Sequence, residues 1–128
     1  MNPVVHFEIP VQDIERAKKF YQDVFDWKLE GYPGSTVPYV MATTSVTNPE
    51  TRSPQTPGQI NGALTQDPKM KATVVTMSVE DIDATIAKIQ SMGGVITEAK
   101  VKVGDMGWNA RLTDSEGNEI GLWQDIKK

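Results

Sequence analysis

Apolar and polar residues alternate along two short stretches of the chain, at residues 5–11 and 74–79. Alternation with a period of two predicts a strand that has one apolar face and one more polar face. The apolar residues, which we expect to pack beneath helices, are Phe7, Ile9, Val75 and Met77. The opposite faces carry His6, Glu8, Val74, Thr76 and Ser78.

A helical pattern of apolar residues follows each of these strands. One apolar stripe runs through residues 14–25 and the other through residues 82–92. Asp13 and Asp81 stand directly before the stripes, where a carboxylate can accept hydrogen bonds from the first free backbone N–H groups of a helix. Gly93 can adopt the positive φ that ends the second helix. The pattern therefore predicts a strand and a capped helix, twice.

Three further strand candidates follow each helix. In the first half they are residues 26–32, 37–44 and 59–66, and in the second half 95–103, 106–113 and 119–126. Residues 114–118 form a turn signal. Residues 45–58 contain three prolines, which exclude a central strand and predict a long loop. Such a loop is either a binding loop or lid, or a plain connection.

The order of elements repeats, and so does part of the sequence. Residues 9–15 and 77–83 share Val, Asp and Ile in register at an offset of 68 residues (81 − 13). We therefore predict an α+β protein of two tandem βαβββ modules, residues 1–67 and 68–128, within a single domain. The modules are expected to form a curved mixed sheet that has helices on one side and a trough on the open side.

Composition narrows the function classes. The chain of 128 residues has no cysteine, which excludes disulfides and thiolate chemistry. Its net charge of −4 without a basic stripe argues against a nucleic-acid partner. No apolar run approaches the length of a membrane span, and no export signal is visible at the N-terminus, so we expect no membrane partner and a cytoplasmic location.

Candidate chemistry centres on His6, the single histidine. A neutral imidazole can bind a metal or transfer protons near neutral pH, and Glu8 lies on the same strand face. One histidine and one carboxylate are fewer than the three or four ligands of a catalytic metal site, so a hydrogen-bonded residue lining a cleft is the competing interpretation. Trp108 and Trp123 are aromatic candidates for a pocket wall. No nucleophile or phosphate-loop motif is present.

Several motifs carry a family resemblance. Residues 5–13, 17–21 and 25–27 resemble the opening of the glyoxalase/bleomycin-resistance/dioxygenase (vicinal oxygen chelate) superfamily, and residues 106–108, 114–118 and 121–124 resemble its ending. The resemblance covers nearly the whole chain and is nearest to a glyoxalase-like branch. It also implies that the protein forms a homodimer.

The resemblance implies where metal ligands stand in members that use a metal. They lie on the first and last strands of each half, and His6 occupies the first of these positions. The equivalent position in the second half is Val74, and the final strand has Gly121 where a glutamate is expected. In the last strand of the first half the match is ambiguous between Asn61 and Ala63, so one position of four is retained.

The leading hypothesis is a small-molecule-binding protein of this superfamily with an incomplete metal site and no predicted cofactor, similar to the sequestering type of member. The residues expected to line its trough are His6, Glu8, Asn61, Thr76, Trp108 and Trp123. One alternative is a glyoxalase-like lyase or isomerase that depends on a divalent metal bound at His6. Another is a structural or interaction module whose trough is filled by side chains.

Overall fold

The computed structural model describes residues 1–126, which contain eight strands and two helices. The first half has β1 (Val4–Pro10), α1 (Ile14–Phe25), β2 (Lys28–Gly31), β3 (Tyr39–Thr43) and β4 (Asn61–Thr65). The second half has β5 (Val74–Ser78), α2 (Ile82–Ser91), β6 (Ile96–Val103), β7 (Gly107–Thr113) and β8 (Glu119–Asp125). The α+β class and the duplicated βαβββ order are confirmed. Neither helix in this range is long and apolar enough to cross a membrane.

The chain divides into two compact units that follow the modules closely. The first unit is His6–Thr73, and the second joins Met1–Val5 to the chain from Val74 onward. The N-terminal residues belong with the second unit because the Ser78 backbone N–H donates a hydrogen bond of 2.9 Å to the Pro3 carbonyl oxygen. In each unit we call the sheet face that meets the helix the covered face and the opposite one the distal face.

The first unit has the strand order β2-β3-β4-β1, in which only β1 and β4 run parallel. Aromatic rings bring its covered face together with the end of α1. The Phe7 ring lies 5.7 Å from the Trp27 ring, and Trp27 stacks on Tyr21 at 4.7 Å. The expectation that Phe7 packs on the helix side is confirmed, and Trp27 packs beside it.

The second unit has the strand order β5-β8-β7-β6, with β5 and β8 parallel. Its core lies between α2 and the covered face and consists of Val79, Ile82, Ala110, Leu112 and Leu122. The helix packs on β7 and β8. Val75 lies on the covered face as the alternation predicts, because Met77, two residues on, is the partner of the core residue Leu122, but the Val75 side chain is 42% exposed.

Both helices begin as the sequence predicts. Asp13 Oδ1 accepts a hydrogen bond from the Arg16 N–H at 3.0 Å, and Asp81 Oδ1 accepts one from the Ala84 N–H at the same distance. These carboxylates satisfy backbone donors that have no partner within the helix. Gly93 follows α2 with a φ of 95°, which confirms its predicted role in ending the helix.

A second cap comes from the last strand region of each unit. Gln66 Oε1 accepts a hydrogen bond from the Ile14 N–H at 3.0 Å, and Gln124 Oε1 accepts one from the Ile82 N–H at 2.8 Å. The two glutamines occupy equivalent places in the two units. Each fixes the start of its helix against the sheet. Sequence reasoning did not single out either glutamine, because each bonds to a residue far away in the chain.

Candidate functional site

The distal face of the first unit carries His6 and Glu8 on β1. Their Cα partners on the neighbouring strand β4 are Asn61 and Ala63, respectively. His6 Nε2 lies 3.1 Å from the hydroxyl oxygen of Tyr39, which is on β3. Sequence reasoning missed Tyr39, because its pairing with His6 depends on a strand 33 residues away.

Burial sets the protonation state of His6. Removal from water lowers the pKa of the imidazole from its ordinary value of 6.5, and the negative charge of Glu8 raises it by a smaller amount. The ring is therefore neutral near pH 7, and one nitrogen donates while the other accepts. Glu8 is itself only 6% exposed. A neutral imidazole, a phenol and a carboxyl group thus share one face of this unit.

Asn61, a predicted pocket residue, forms side-chain hydrogen bonds with the segment that follows β3. Its Oδ1 accepts hydrogen bonds from the Thr44 N–H at 2.8 Å and from the Ser45 hydroxyl at 3.1 Å. Its Nδ2 donates to the Thr47 hydroxyl at 2.7 Å. The amide therefore anchors the start of the proline-rich loop and has at most one N–H left for a ligand.

A continuous row of side-chain positions crosses the distal face of the second unit. Thr76 on β5 is the partner of Gly121 on β8, Gly121 is the partner of Arg111 on β7, and Arg111 is the partner of Glu98 on β6. Partners in a sheet project to the same face. Arg111 is 8% exposed, and its guanidinium NH2 lies 3.6 Å from Glu98 Oε2. Sequence reasoning did not single out this buried cation.

Thr76 and Gly121 fit closely against each other. Thr76 is 1% exposed, and a methyl group at Gly121 would overlap the Thr76 hydroxyl oxygen. That hydroxyl is buried and has no hydrogen-bond partner in the described part of the chain. Thr76 therefore occupies the space beside Gly121 that a longer side chain on β8 would need.

Trp123 lies on the same distal face as Thr76, because its Cα partners are Ser78 and Asn109. Its Nε1–H donates a hydrogen bond of 2.8 Å to Asp125 Oδ1. The Trp123 ring packs on the backbone at Gly107, where any side chain would overlap it. Alternation along β8 places Trp123 on the face of Gly121 and Leu122 on the opposite face, where Leu122 belongs to the core.

Trp108 is not on that face. Its Cα partner is Gln124, one position from the partner of Trp123, so the two indoles project to opposite sides of the sheet. Trp108 packs against the core beneath α2. Lys100 Nζ lies 4.5 Å from the centre of its ring and also pairs with Asp83 on α2 at 3.0 Å. The expectation that Trp108 lines the trough is corrected: it is a packing residue on the covered face.

The structure also resolves the ambiguous metal position. Equivalent hydrogen bonds join β1 to β4 and β5 to β8, from the Val11 N–H to the Thr65 oxygen at 2.9 Å and from the Val79 N–H to the Trp123 oxygen at 2.8 Å. Two residues before each acceptor stand Ala63 and Gly121, which are therefore counterparts.

Only one of the four positions offers a metal ligand. They hold His6, Ala63, Val74 and Gly121, and within residues 1–126 no group of three His, Cys, Asp or Glu side chains could hold an ion. This donor set does not fit a catalytic metal centre, which takes three protein ligands.

Comparison with known proteins identifies related sequences. A family model described as the Glyoxalase/Bleomycin resistance protein/Dioxygenase superfamily matches residues 4–122. A Mycobacterium tuberculosis protein named "Putative glyoxylase CFP32" is 32% identical over 122 residues, which cover 91% of this chain and 43% of that protein. A glyoxylase-like domain-containing protein of Didymella fabae is 34% identical over 87 residues, 68% of this chain and 65% of that protein. The chain thus spans less than half of the first relative.

Solved structures share the fold at low identity. A hypothetical protein of Bacillus halodurans has a TM-score of 0.67 at 15% identity, over 99% of this chain and 96% of the other. Methylmalonyl-CoA epimerase of Mycobacterium tuberculosis has a TM-score of 0.64 at 16% identity, over 97% and 88%. At these identities the likeness shows the fold alone.

Proposed function

The chain belongs to the Glyoxalase/Bleomycin resistance protein/Dioxygenase superfamily, and within it we propose a small-molecule-binding protein that works without a complete metal centre. The main support for this proposal is that, among the residues at the four metal positions, only His6 can ligate a metal. Ala63 and Gly121 stand at positions where the family resemblance implies metal ligands, and neither side chain can ligate a metal. An organic ligand, unlike an ion, does not need close contact with several donors at one point.

Each distal face by itself offers groups of the kind that a small ligand uses. In the first unit these are the neutral His6–Tyr39 pair and the buried Glu8. In the second unit they are the Thr76 hydroxyl and the Trp123 indole. Aromatic surface with a few placed polar groups is typical of small-molecule sites. We also propose, on the family resemblance, that the protein is a cytoplasmic homodimer.

The proposal is tested by titrating the protein with a small-molecule library while following tryptophan emission. A ligand of the distal face is expected to change the emission of the wild type and of Trp108→Phe, because Trp108 lies on the covered face. Trp123→Phe should remove most of that change. The proposal is overturned if no compound alters the emission, or if the response survives in Trp123→Phe and disappears in Trp108→Phe.

A second candidate function is a lyase or isomerase that depends on a divalent metal. It is favoured by His6 and Glu8 sharing a face, close enough for the Glu8 charge to act on the imidazole, and by relatives named as glyoxylases. Metal analysis of protein purified without chelators separates the two candidates. Stoichiometric zinc, nickel, iron or manganese that is lost in His6→Ala supports the metalloenzyme, whereas substoichiometric metal unaffected by that change supports the binding protein.

A further inference from the structure

Helix α1 leaves a large part of its apolar surface in water. No residue of α1 is fully buried, and three large apolar side chains are more than half exposed: Phe20 (53%), Val24 (57%) and Phe25 (56%). Phe20 and Val24 are one helical turn apart, and Ala17 lies one turn before Phe20. The Phe20 and Phe25 rings are 6.3 Å apart. These four residues therefore form one continuous surface, which we call the α1 patch.

The second helix shows that the fold does not require aromatic residues at these positions. At the offset of 68 residues that relates the two halves, Phe20 corresponds to Lys88 and Phe25 to Gly93. Val24 has an apolar counterpart, Met92. Exposed apolar residues are common singly, whereas contiguous groups of them mark interaction sites. The contrast between the helices therefore indicates a binding surface that is particular to α1.

The α1 patch has a hollow at one end and projecting side chains at the other. A groove of about 340 Å³ lies at the N-terminal end of α1, where Val11, Ala17 and Phe20 are among the residues that line it. Val24 and Phe25 project at the C-terminal end. A second copy of the same helix in the opposite direction would bring each projecting end to the hollow of the other. The patch is thus self-complementary in shape, as a twofold interface requires.

Charges along one edge of the patch are also self-complementary. Arg16 and Asp23 are both exposed, and their separation of seven residues places them on the same side of the helix. With a twofold axis beside Phe20, each Arg16 would lie opposite Asp23 of the other copy. Asp23 already contacts Lys19 within its own helix. Such an exposed pair contributes little to stability, so it does not prevent Asp23 from pairing with a second cation.

We propose that the α1 patch binds the α1 patch of a second copy of this chain, with the two helices antiparallel about a twofold axis near Phe20. Phe20 contacts its own counterpart at the axis, and Val24 and Phe25 of each copy enter the groove of the other. Two Arg16–Asp23 pairs flank this contact. The inference goes beyond the proposed function, because it assigns a surface to the homodimer that the family resemblance alone suggests, and it does not depend on a small-molecule ligand.

The exposed area of the patch limits the strength of the association. Because a whole aromatic side chain covers about 150–250 Å², three large side chains at half exposure offer roughly 300 Å² in each copy. With the flanking polar residues, the two copies together would bury about 1,000 Å², which is the lower end of the range for specific interfaces. The dimer is therefore expected to dissociate in the micromolar to millimolar range.

Sedimentation equilibrium of the full chain at concentrations up to about 1 mM measures this association. Phe20→Lys, which copies Lys88 of α2, should raise the dimer Kd about tenfold or more, since apolar residues at the centre of an interface dominate its affinity. Val46→Lys is the matched control. Val46 is 70% exposed in the loop of residues 45–58, and its change should leave the Kd as it is. Circular dichroism checks that both variants fold.

Charge reversal tests the antiparallel arrangement. Arg16→Asp and Asp23→Arg should each weaken the dimer several-fold, because either change places like charges opposite each other. An equimolar mixture of the two variants should form a heterodimer as stable as the wild-type dimer, since opposite charges then face each other at both ends. The double variant Arg16→Asp/Asp23→Arg should recover the wild-type Kd in the same way. An unspecific apolar contact would give neither recovery.

The proposal is overturned if the wild type stays monomeric throughout this concentration range. A dimer whose Kd is the same in Phe20→Lys also overturns it, and in that case the homodimer is kept and its interface lies elsewhere. Failure of both the mixture and the double variant to recover the affinity would reject the antiparallel pairing. The small-molecule function is judged separately, by the library titration repeated on Phe20→Lys, because the α1 patch is not part of a distal face.

Discussion

Small residues determine the chemistry of both distal faces. Ala63 stands beside Glu8 in the first unit, and Gly121 stands beside Thr76 in the second, in the same register. Each small residue occupies a position where metal-using relatives are expected to place a ligand. Neither residue can ligate a metal, so both distal faces lack a donor at this position.

Thr76 offers a direct test of whether stability was given up for binding. Thr76→Val should raise the free energy of unfolding by about 1 kcal/mol, because it removes a buried hydroxyl that lacks a partner and keeps the side-chain shape. Thr113→Val is the matched control. The Thr113 hydroxyl accepts a hydrogen bond from the Val95 N–H at 3.0 Å, so its loss should lower stability by about 1 kcal/mol. Urea unfolding of both variants checks the opposite signs, and a Thr76→Val variant less stable than the wild type contradicts the argument.

Strands and helix starts could be predicted because their causes are local. Alternation depends on neighbouring residues, and a capping carboxylate bonds to an N–H three residues away. The faces were harder to assign. The side to which Trp108 projects depends on its register with β8, and whether Val75 is covered depends on which strands α2 crosses. Neither is encoded in a short stretch of sequence.

The candidate site shows the same limit. Counting along β1 places His6 and Glu8 on one face. Counting cannot link Tyr39 to His6 or Arg111 to Thr76. Their partners lie on strands distant in sequence. Arg111 stands between apolar residues on β7, and that pattern is typical of a solvated strand face. Only its register with Gly121 and its low exposure show that Arg111 is a buried cation on the distal face.

The loop of residues 45–58 is an irregular element, and its first residues are hydrogen-bonded to one side chain on β4. Asn61 makes hydrogen bonds to Thr44, Ser45 and Thr47 at its start. Asn61→Ala should release it and accelerate tryptic cleavage after Arg52 by about tenfold or more, since each lost hydrogen bond contributes about 1 kcal/mol to local opening. Asn118→Ala, in the turn after β7, is the control and should leave cleavage at Arg52 unchanged. Equal cleavage rates in the wild type and Asn61→Ala would show that the loop is held in another way.

At the scale of the whole molecule, the two units share the residues that cap their helices and differ in their candidate chemical residues. Asp13 and Asp81 cap the helices alike, and Gln66 and Gln124 repeat the second cap. By contrast, the positions of His6 and Glu8 in one unit correspond to Val74 and Thr76 in the other. The buried polar groups therefore differ, with a neutral imidazole in the first unit and a guanidinium in the second. Only the first should make stability depend on pH near neutrality.

The pH dependence follows from the lowered pKa of His6. In the unfolded chain the imidazole titrates at its ordinary value of 6.5, and burial in the folded protein moves its pKa lower. Between the two values the unfolded chain binds more protons, so stability contributed by neutral His6 is complete above pH 6.5 and is lost as the pH falls through the folded pKa. The loss is at most about 1.4 kcal/mol per pH unit in that window.

Comparison of the wild type with His6→Gln isolates this effect from the carboxylates, which titrate in both proteins. As the pH falls from 7.5 to 5, the wild type should lose more of its free energy of unfolding than His6→Gln does. Because the sequence has one histidine, a single imidazole resonance in the NMR spectrum reports the folded pKa, and we expect its midpoint below 6.5. Glu8→Gln should move that midpoint lower still, since the Glu8 charge raises the His6 pKa. A midpoint at or above 6.5 would contradict a buried, neutral imidazole and favour an exposed one that is free to become protonated.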